Sequence, residues 1–191
     1  MLDKLVETDK EVFLFLNNLG VASWDGFWMF MSNKWASIPL YLVLLLLCFY
    51  KLGWKRTILV IVSVALMITA TDQLANFFKY GVGRFRPCHD ASIVDQMRLV
   101  KSYCGGKYGY FSAHAANSFA VATFFVLLFK QYFKWLVPLL LIWGLLVSYS
   151  RIYIGVHFPL DVVTGISIGM LSGWLFNSLS VLANRRFLKP V

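Results

Sequence analysis

Charge is scarce in this 191-residue chain: nine acidic and eighteen basic residues, with three histidines and three cysteines. The carboxylates and thiols are so few and so scattered that no run has the carboxylate-rich pattern of a magnesium site or the Cys/His spacing of a zinc site. No metal and no cofactor is therefore expected. Repeats, low-complexity tracts and linkers are also missing, so a single domain over residues 1–191 is expected. The chain opens Met-Leu-Asp-Lys-Leu-Val-Glu-Thr-Asp-Lys-Glu, mixed in charge and too polar for a secretory signal. No cleaved targeting segment is expected.

What fills the chain instead is apolar: 59% hydrophobic and 17% aromatic residues, more than one soluble core of this size would bury. Uninterrupted runs lie at Trp35–Tyr50, Thr57–Phe78 (broken by Asp72), Ala115–Phe129, Trp135–Ser150 and Val162–Ala183. Segments this apolar do not alternate as barrel strands do, and in lipid a helix satisfies its own backbone. The fold class expected is all-α: a polytopic membrane helical bundle of five transmembrane helices. Several runs fall short of the roughly 20 residues that cross a hydrocarbon core, so their flanking Lys, Arg and His sit at headgroup depth. The stretch Val12–Met31 is interrupted by Asn17, Asn18, Gly20, Asp25 and Gly26. It reads as one or two interfacial amphipathic helices, with a sixth span as the alternative. Residues 1–31 would then lie at the interface and 32–191 form the transmembrane core.

Lys51, Lys55 and Arg56, Lys130 and Lys134, and Arg185, Arg186 and Lys189 fall on one side of a five-span chain, which marks that side cytoplasmic. Loops 79–114 and 151–161 then face outward. They carry Lys79, Arg84, Arg86, Arg98, Lys101, Lys107 and Arg151, cations that weaken the orientation count unless several bind an anion. The formal charge of +9 needs no nucleic-acid partner.

Span parity brings dispersed residues together. Lys79 and Arg86 follow the second span, Ser112 and His114 open the third, Arg151 closes the fourth, and His157 with Asp161 opens the fifth. Spans two and four end, and spans three and five begin, on one membrane face. Ionisable residues gathered at that depth are expensive and usually functional.

Lys79-x6-Arg86-Pro87, Phe111-Ser112-Ala113-His114 and Ser150-Arg151-x5-His157-x3-Asp161 resemble, in order and spacing, the three-part signature of the type 2 phosphatidic acid phosphatase superfamily. Phe111 and Ala113 replace that family's usual Pro and Gly, whereas the chemical members Ser112 and His114 are kept. The resemblance implies a phosphohistidine at His157 oriented by Asp161, with His114 as general acid. Lys79, Arg86, Arg151 and Ser112 would bind the phosphate. The residues agree with those roles. Imidazole attacks phosphorus near neutral pH when its other nitrogen is held, arginine forks grip phosphoryl oxygens, and a helix N-terminus favours anions. The resemblance further implies a lipid phosphate or diphosphate as substrate: phosphatidylglycerophosphate, phosphatidic acid or undecaprenyl diphosphate. It places the site at the outer face of a bacterial inner membrane. A non-catalytic lipid-phosphate binder or transporter is the alternative, and nothing assigns an oligomeric state.

Arg84 reads as a solvated charge or one at the rim of the substrate site, His89 as outside the chemistry, and Asp72 as an internal hydrogen-bond or ion-pair group. Cys48 lies in an apolar span and reads as packing. Cys88 and Cys104 share the outward loop, either as a disulfide closing it or as free thiols.

Overall fold

The computed structural model describes residues 1–188 and is all-helical; Lys189, counted among the basic residues above, lies outside the described residues. Its helices are α1 (Leu2–Asn18), α2 (Ala22–Met31), α3 (Ile38–Val82), α4 (Ala113–Phe129), α5 (Leu136–Tyr153) and α6 (Pro159–Phe187). Three segments, Lys34–Val82, Leu136–Tyr153 and Pro159–Phe187, are long and apolar enough to cross a membrane, and Ala113–Phe129 is a shorter apolar helix.

The longest helix is two arms, residues 38–52 and 54–82, meeting at Gly53 (φ 71°, ψ 171°). Only glycine takes that φ without a steric penalty, so the two apolar runs flanking it become separate rods. Lys51 and Lys55 lie at this corner over the rings of Tyr50 and Trp54, at 4.7 and 5.6 Å. Basic and aromatic side chains together suit the membrane–water boundary. Away from the corner, α3, α5 and α6 expose Leu46, Val62, Ile142 and Leu171, as lipid-facing helices do.

Helix α4 is the axis of the bundle, with Ala115, Ala116, Phe119, Ala120, Val121, Ala122 and Phe124 all buried. Helix α6 lies against it through Gly165, Gly169 and Gly173, spaced one turn apart. A Cβ at Gly165 would stand 2.6 Å from the Ser112 carbonyl oxygen and one at Gly173 2.5 Å from that of Ala120, while Gly169 meets the Ala116 backbone. Small residues on both faces let the backbones approach, as in membrane helix pairs generally. Replacing Gly169 by Leu should therefore cost at least about 2 kcal/mol through overpacking. A thermal unfolding midpoint in detergent equal to that of the wild type would refute this account of the contact.

The N-terminal helices are docked by specific polar groups. Helix α1 starts ten residues before the apolar stretch that the sequence suggests, and buries Asp9, Phe13 and Asn17 along one face. The Asn17 amide donates to the carbonyls of Ile152 (3.1 Å) and Tyr153 (2.9 Å), while its oxygen accepts from the Arg98 amide (2.7 Å). Carbonyls at a helix C-terminus have no partner within the helix, and Asn17 satisfies those of α5. Trp28 of α2 stacks on Tyr153, with centroids 5.3 Å apart. Between α3 and α4, the loop 83–112 carries a bond between Cys88 and Cys104, whose Cα atoms are 6.0 Å apart.

Candidate active site

A cavity of about 410 Å³ is lined by Lys79, Arg86, His114, Arg151 and His157, together with Asp72, Asn117 and Ser118. Five of the seven residues singled out from the motifs therefore share one wall. Lys79 comes from the last turn of α3, His114 from the first turn of α4, Arg151 from the end of α5, and His157 from the turn before α6.

Arg86 is placed by extended backbone. Phe85 pairs with Tyr108 in an isolated antiparallel bridge, flanked by Arg86 N–H to Lys107 O (3.1 Å) and Gly109 N–H to Arg84 O (2.9 Å). Extended chain alternates its side chains: Phe85 points outward, and Arg84 and Arg86 point inward together. The Arg86 guanidinium is oriented by the carbonyls of Tyr108 (Nε, 3.2 Å) and Cys104 (Nη1, 3.3 Å). Arg151 is buried, donates from Nη1 to the Ser32 hydroxyl, and has no partner for Nε among the described residues. Among the described residues Lys79 Nζ reaches only Asn76 Oδ1, at 3.4 Å. Among the described residues none of these three cations pairs with a carboxylate. Unpaired charge in a buried wall is costly, and an anion in the cavity relieves it.

His157 is 3% exposed, and its Nδ1, which has no hydrogen bond among the described residues, stands 3.5 Å from Asp161 Oδ2. Burial lowers its affinity for a proton, and Arg151, Arg86 and Lys79 lower it further, holding it well below the usual imidazole value. The ring is therefore neutral at pH 7, the form that can attack an electrophile.

Asp161 and Ser112 stand behind the wall. Asp161 is fully buried; Oδ2 accepts from the Phe158 amide (3.0 Å) and Oδ1 from Arg84 Nη1 (2.9 Å). Ser112, also fully buried, caps α4 by accepting from Ala115 N–H (3.4 Å) and donates its own N–H to Asp161 O (2.9 Å). It does not line the cavity. Asp72 accepts from Asn117 Nδ2 at 2.8 Å, and His89 is exposed beside Gly105.

Arg84 corrects the expectation of a solvated or rim charge. Its side chain is only 16% exposed and bridges Asp161 and Asp9, the latter through Nη2 at 2.5 Å, with the guanidinium 4.3 Å above the Phe158 ring. The physical reason is the bridge at Phe85, which turns residues 84 and 86 to the same side. Asp9 carries no motif that marks it in the sequence; its other oxygen accepts from the Leu160 amide at 2.9 Å. The signal was the i, i+4, i+8 stripe Asp9, Phe13, Asn17, which lies on one helical face.

Residues 59–185 match the PAP2 superfamily. Two relatives named lipid A 4′-phosphatase are 36% identical over 92% of this chain and 78% of the relative in Bacteroides thetaiotaomicron, and 35% identical over 98% and 79% in Porphyromonas gingivalis. The fold is that of the PAP2-type phosphatidylglycerolphosphate phosphatase from Bacillus subtilis, with TM-score 0.74 and 19% identity over 95% of this chain and 89% of that one. The motif residues on one cavity wall, the matched segment and these relatives agree: the chain belongs to the PAP2 superfamily and is a lipid phosphate hydrolase.

Proposed function

We propose that this chain hydrolyses a phosphate monoester on the headgroup of a membrane lipid through a phosphohistidine on His157, without a metal. One observation carries the reading: three cations with no carboxylate partner among the described residues face a neutral histidine that has a carboxylate 3.5 Å behind its second nitrogen. Lys79, Arg86 and Arg151 hold the nonbridging oxygens and stabilise the charge of the transferring group. The outward nitrogen of His157 attacks phosphorus in line, while Asp161 accepts from Nδ1–H and fixes the tautomer. As the bond to the leaving oxygen breaks, His114 delivers its proton there; it then takes a proton from the water that hydrolyses the phosphohistidine. Inorganic phosphate leaves and His157 is restored.

The two relatives named lipid A 4′-phosphatase favour a glycolipid phosphate over the phosphatidic acid, phosphatidylglycerophosphate and undecaprenyl diphosphate that the motifs alone suggest. In the membrane, the reading has five spans, namely the two arms of α3 with α4, α5 and α6. Residues 1–31 lie at the interface, in one domain with the core 32–191. Lys51, Lys55, Arg56, Lys130, Lys134, Arg185 and Arg186 face the cytoplasm, and the cavity faces the outside of a bacterial cytoplasmic membrane.

The test is phosphate release by purified protein in detergent with EDTA present, from lipid A and the three alternative lipids, followed by quenching and analysis of protein-bound phosphate. Lipid A should exceed the others in kcat/KM by about tenfold, the scale of one or two added polar contacts, and the trapped phosphate should be acid-labile and base-stable. Equal turnover of all four lipids would remove the substrate assignment. Turnover abolished by EDTA, or phosphate trapped in an acid-stable linkage, would remove the mechanism.

A further inference from the structure

We propose that the disulfide between Cys88 and Cys104 is a positioning element of the catalytic wall: it fixes the Cys104 carbonyl against the Arg86 guanidinium, and phosphate is held at full strength only while the bond is intact. Neither cysteine lines the cavity, so reduction acts on substrate binding from outside it. This inference rests on the proposed role of Arg86 in holding phosphate.

Arg86 lies in extended chain beyond α3, and its guanidinium takes its direction from residues 104–109. The Cys104 carbonyl accepts from Nη1 at 3.3 Å and the Tyr108 carbonyl from Nε at 3.2 Å. The segment closes round the arginine: a Cβ at Gly105 would stand 3.3 Å from Nη1, and one at Gly109 2.8 Å from Cγ. Carbonyls orient a guanidinium without cancelling its charge, so Arg86 keeps its attraction for an anion.

The two ends of this cradle are held differently. At the far end, the bridge between Phe85 and Tyr108 and the bond from Arg86 N–H to Lys107 O (3.1 Å) fix residues 107–109. At the near end, among the described residues, no backbone–backbone hydrogen bond holds any of residues 99–106. Gly105, at φ 89°, and Gly106 add further freedom there. What ties this end is the disulfide, whose other sulfur sits on Cys88 in the short turn Pro87–His89. That turn is itself anchored on Arg86, whose carbonyl accepts from His89 N–H at 2.9 Å. The bond thus joins the cradle to the backbone of the arginine it orients. Without it, one hydrogen bond from Nη1 would have to order the whole near segment, and the backbone entropy of so many residues outweighs a single such bond. Disulfides persist in oxidising compartments, so a chain whose loop stays in a reducing one binds phosphate weakly.

The test compares oxidised and reduced protein in detergent, with EDTA present because two free thiols beside His89 form a ligand set for a soft cation. Dithiothreitol passes two electrons and two protons to the bond, giving two thiols and its own cyclic disulfide. The substrate is whichever of the four lipids above is turned over best, and inorganic phosphate serves as product inhibitor. Reduction should raise KM and the inhibition constant of phosphate about tenfold each, the scale of one charge-assisted contact, while kcat changes by less than about threefold. Reoxidation should restore both constants. Cys88→Ser/Cys104→Ser should match the reduced wild type and ignore the reductant. In Arg86→Ala, reduction should move neither constant by more than about twofold, because the group it loosens is gone. Constants unmoved by reduction of the wild type overturn the inference. So does a fall in kcat or in the active fraction that is equal in wild type and Arg86→Ala, the result of a disulfide that merely stabilises the fold. Arg86→Ala with wild-type constants would instead overturn the phosphate-binding role of Arg86 in the proposed reaction.

Discussion

His157→Ala should lower kcat/KM by at least about 10⁴-fold, the scale of losing a nucleophile while the binding groups stay, and should leave no acid-labile phosphate on the protein. His157→Asn should do the same, because an amide of similar shape cannot form the intermediate. The substitution removes a nearly buried ring from a turn, so folding must be checked by the thermal midpoint; the asparagine variant keeps more of the volume and a polar group, and so perturbs packing less than alanine. Residual activity within tenfold of wild type in both variants would rule out a covalent role and leave His157 as a positioning group for water.

If His157 is the nucleophile, as proposed, the same residue should set the acid side of the pH profile. Burial, and then Arg151, Arg86 and Lys79, keep its proton affinity well below the usual imidazole value. A nucleophile with a lowered pKa stays neutral as pH falls through 6.5 and is lost only below its own value. Once corrected for the fraction of substrate present as dianion, kcat/KM should hold within about twofold of its maximum at pH 6, whereas an ordinary imidazole with pKa near 6.5 would already be mostly protonated. A corrected profile that halves at pH 6.5 or above contradicts the electrostatics of the cavity.

How far the sequence reads through to this site depends on the physics behind each part. The helices fall on the apolar runs because lipid demands internal backbone pairing, and Gly53 marks the break within the longest of them. Parity alone gathers Lys79, Arg86, His114, Arg151 and His157, since it needs only the number of spans between motifs. Helix ends were less legible: α1 begins well before Val12, because its face is stabilised by burying Asp9 and Asn17 in tertiary contacts that hydropathy does not register. Ser112 illustrates a similar limit. A serine at a helix start serves equally as cap or anion ligand, and its hydroxyl is turned to Ala115. Arg84 is illegible for a different reason, because the bridge between Phe85 and Tyr108, which lie twenty-three residues apart in the chain, decides which way it points.

Arg84→Ala should lower kcat by about 10²-fold, the order expected when a supporting group shifts by about 1 Å, with KM changed by less than about threefold. The reason is where Arg84 stands. It does not line the cavity, and it joins Asp161, which backs His157, to Asp9 on α1. Removing the guanidinium leaves two buried carboxylates facing one another without their shared cation, an arrangement whose loss typically costs about 3–5 kcal/mol. Asp161 and the Phe158 amide bonded to it then relax, and the acceptor behind His157 Nδ1 moves. On the proposed reaction the phosphate contacts by Lys79, Arg86 and Arg151 are untouched, which is why the loss should fall on kcat. Arg84→Lys should recover part of the rate as a point charge without the fork, and added methylguanidine should raise the rate of the alanine variant. Asp9→Asn should act in the same direction but by less, about tenfold, since it weakens one end of the bridge and leaves the Asp161 end in place. A merely structural Arg84 would lower the thermal midpoint and the fraction of active protein without a guanidine response, and a rise in KM equal to the fall in kcat/KM would make it a substrate ligand instead.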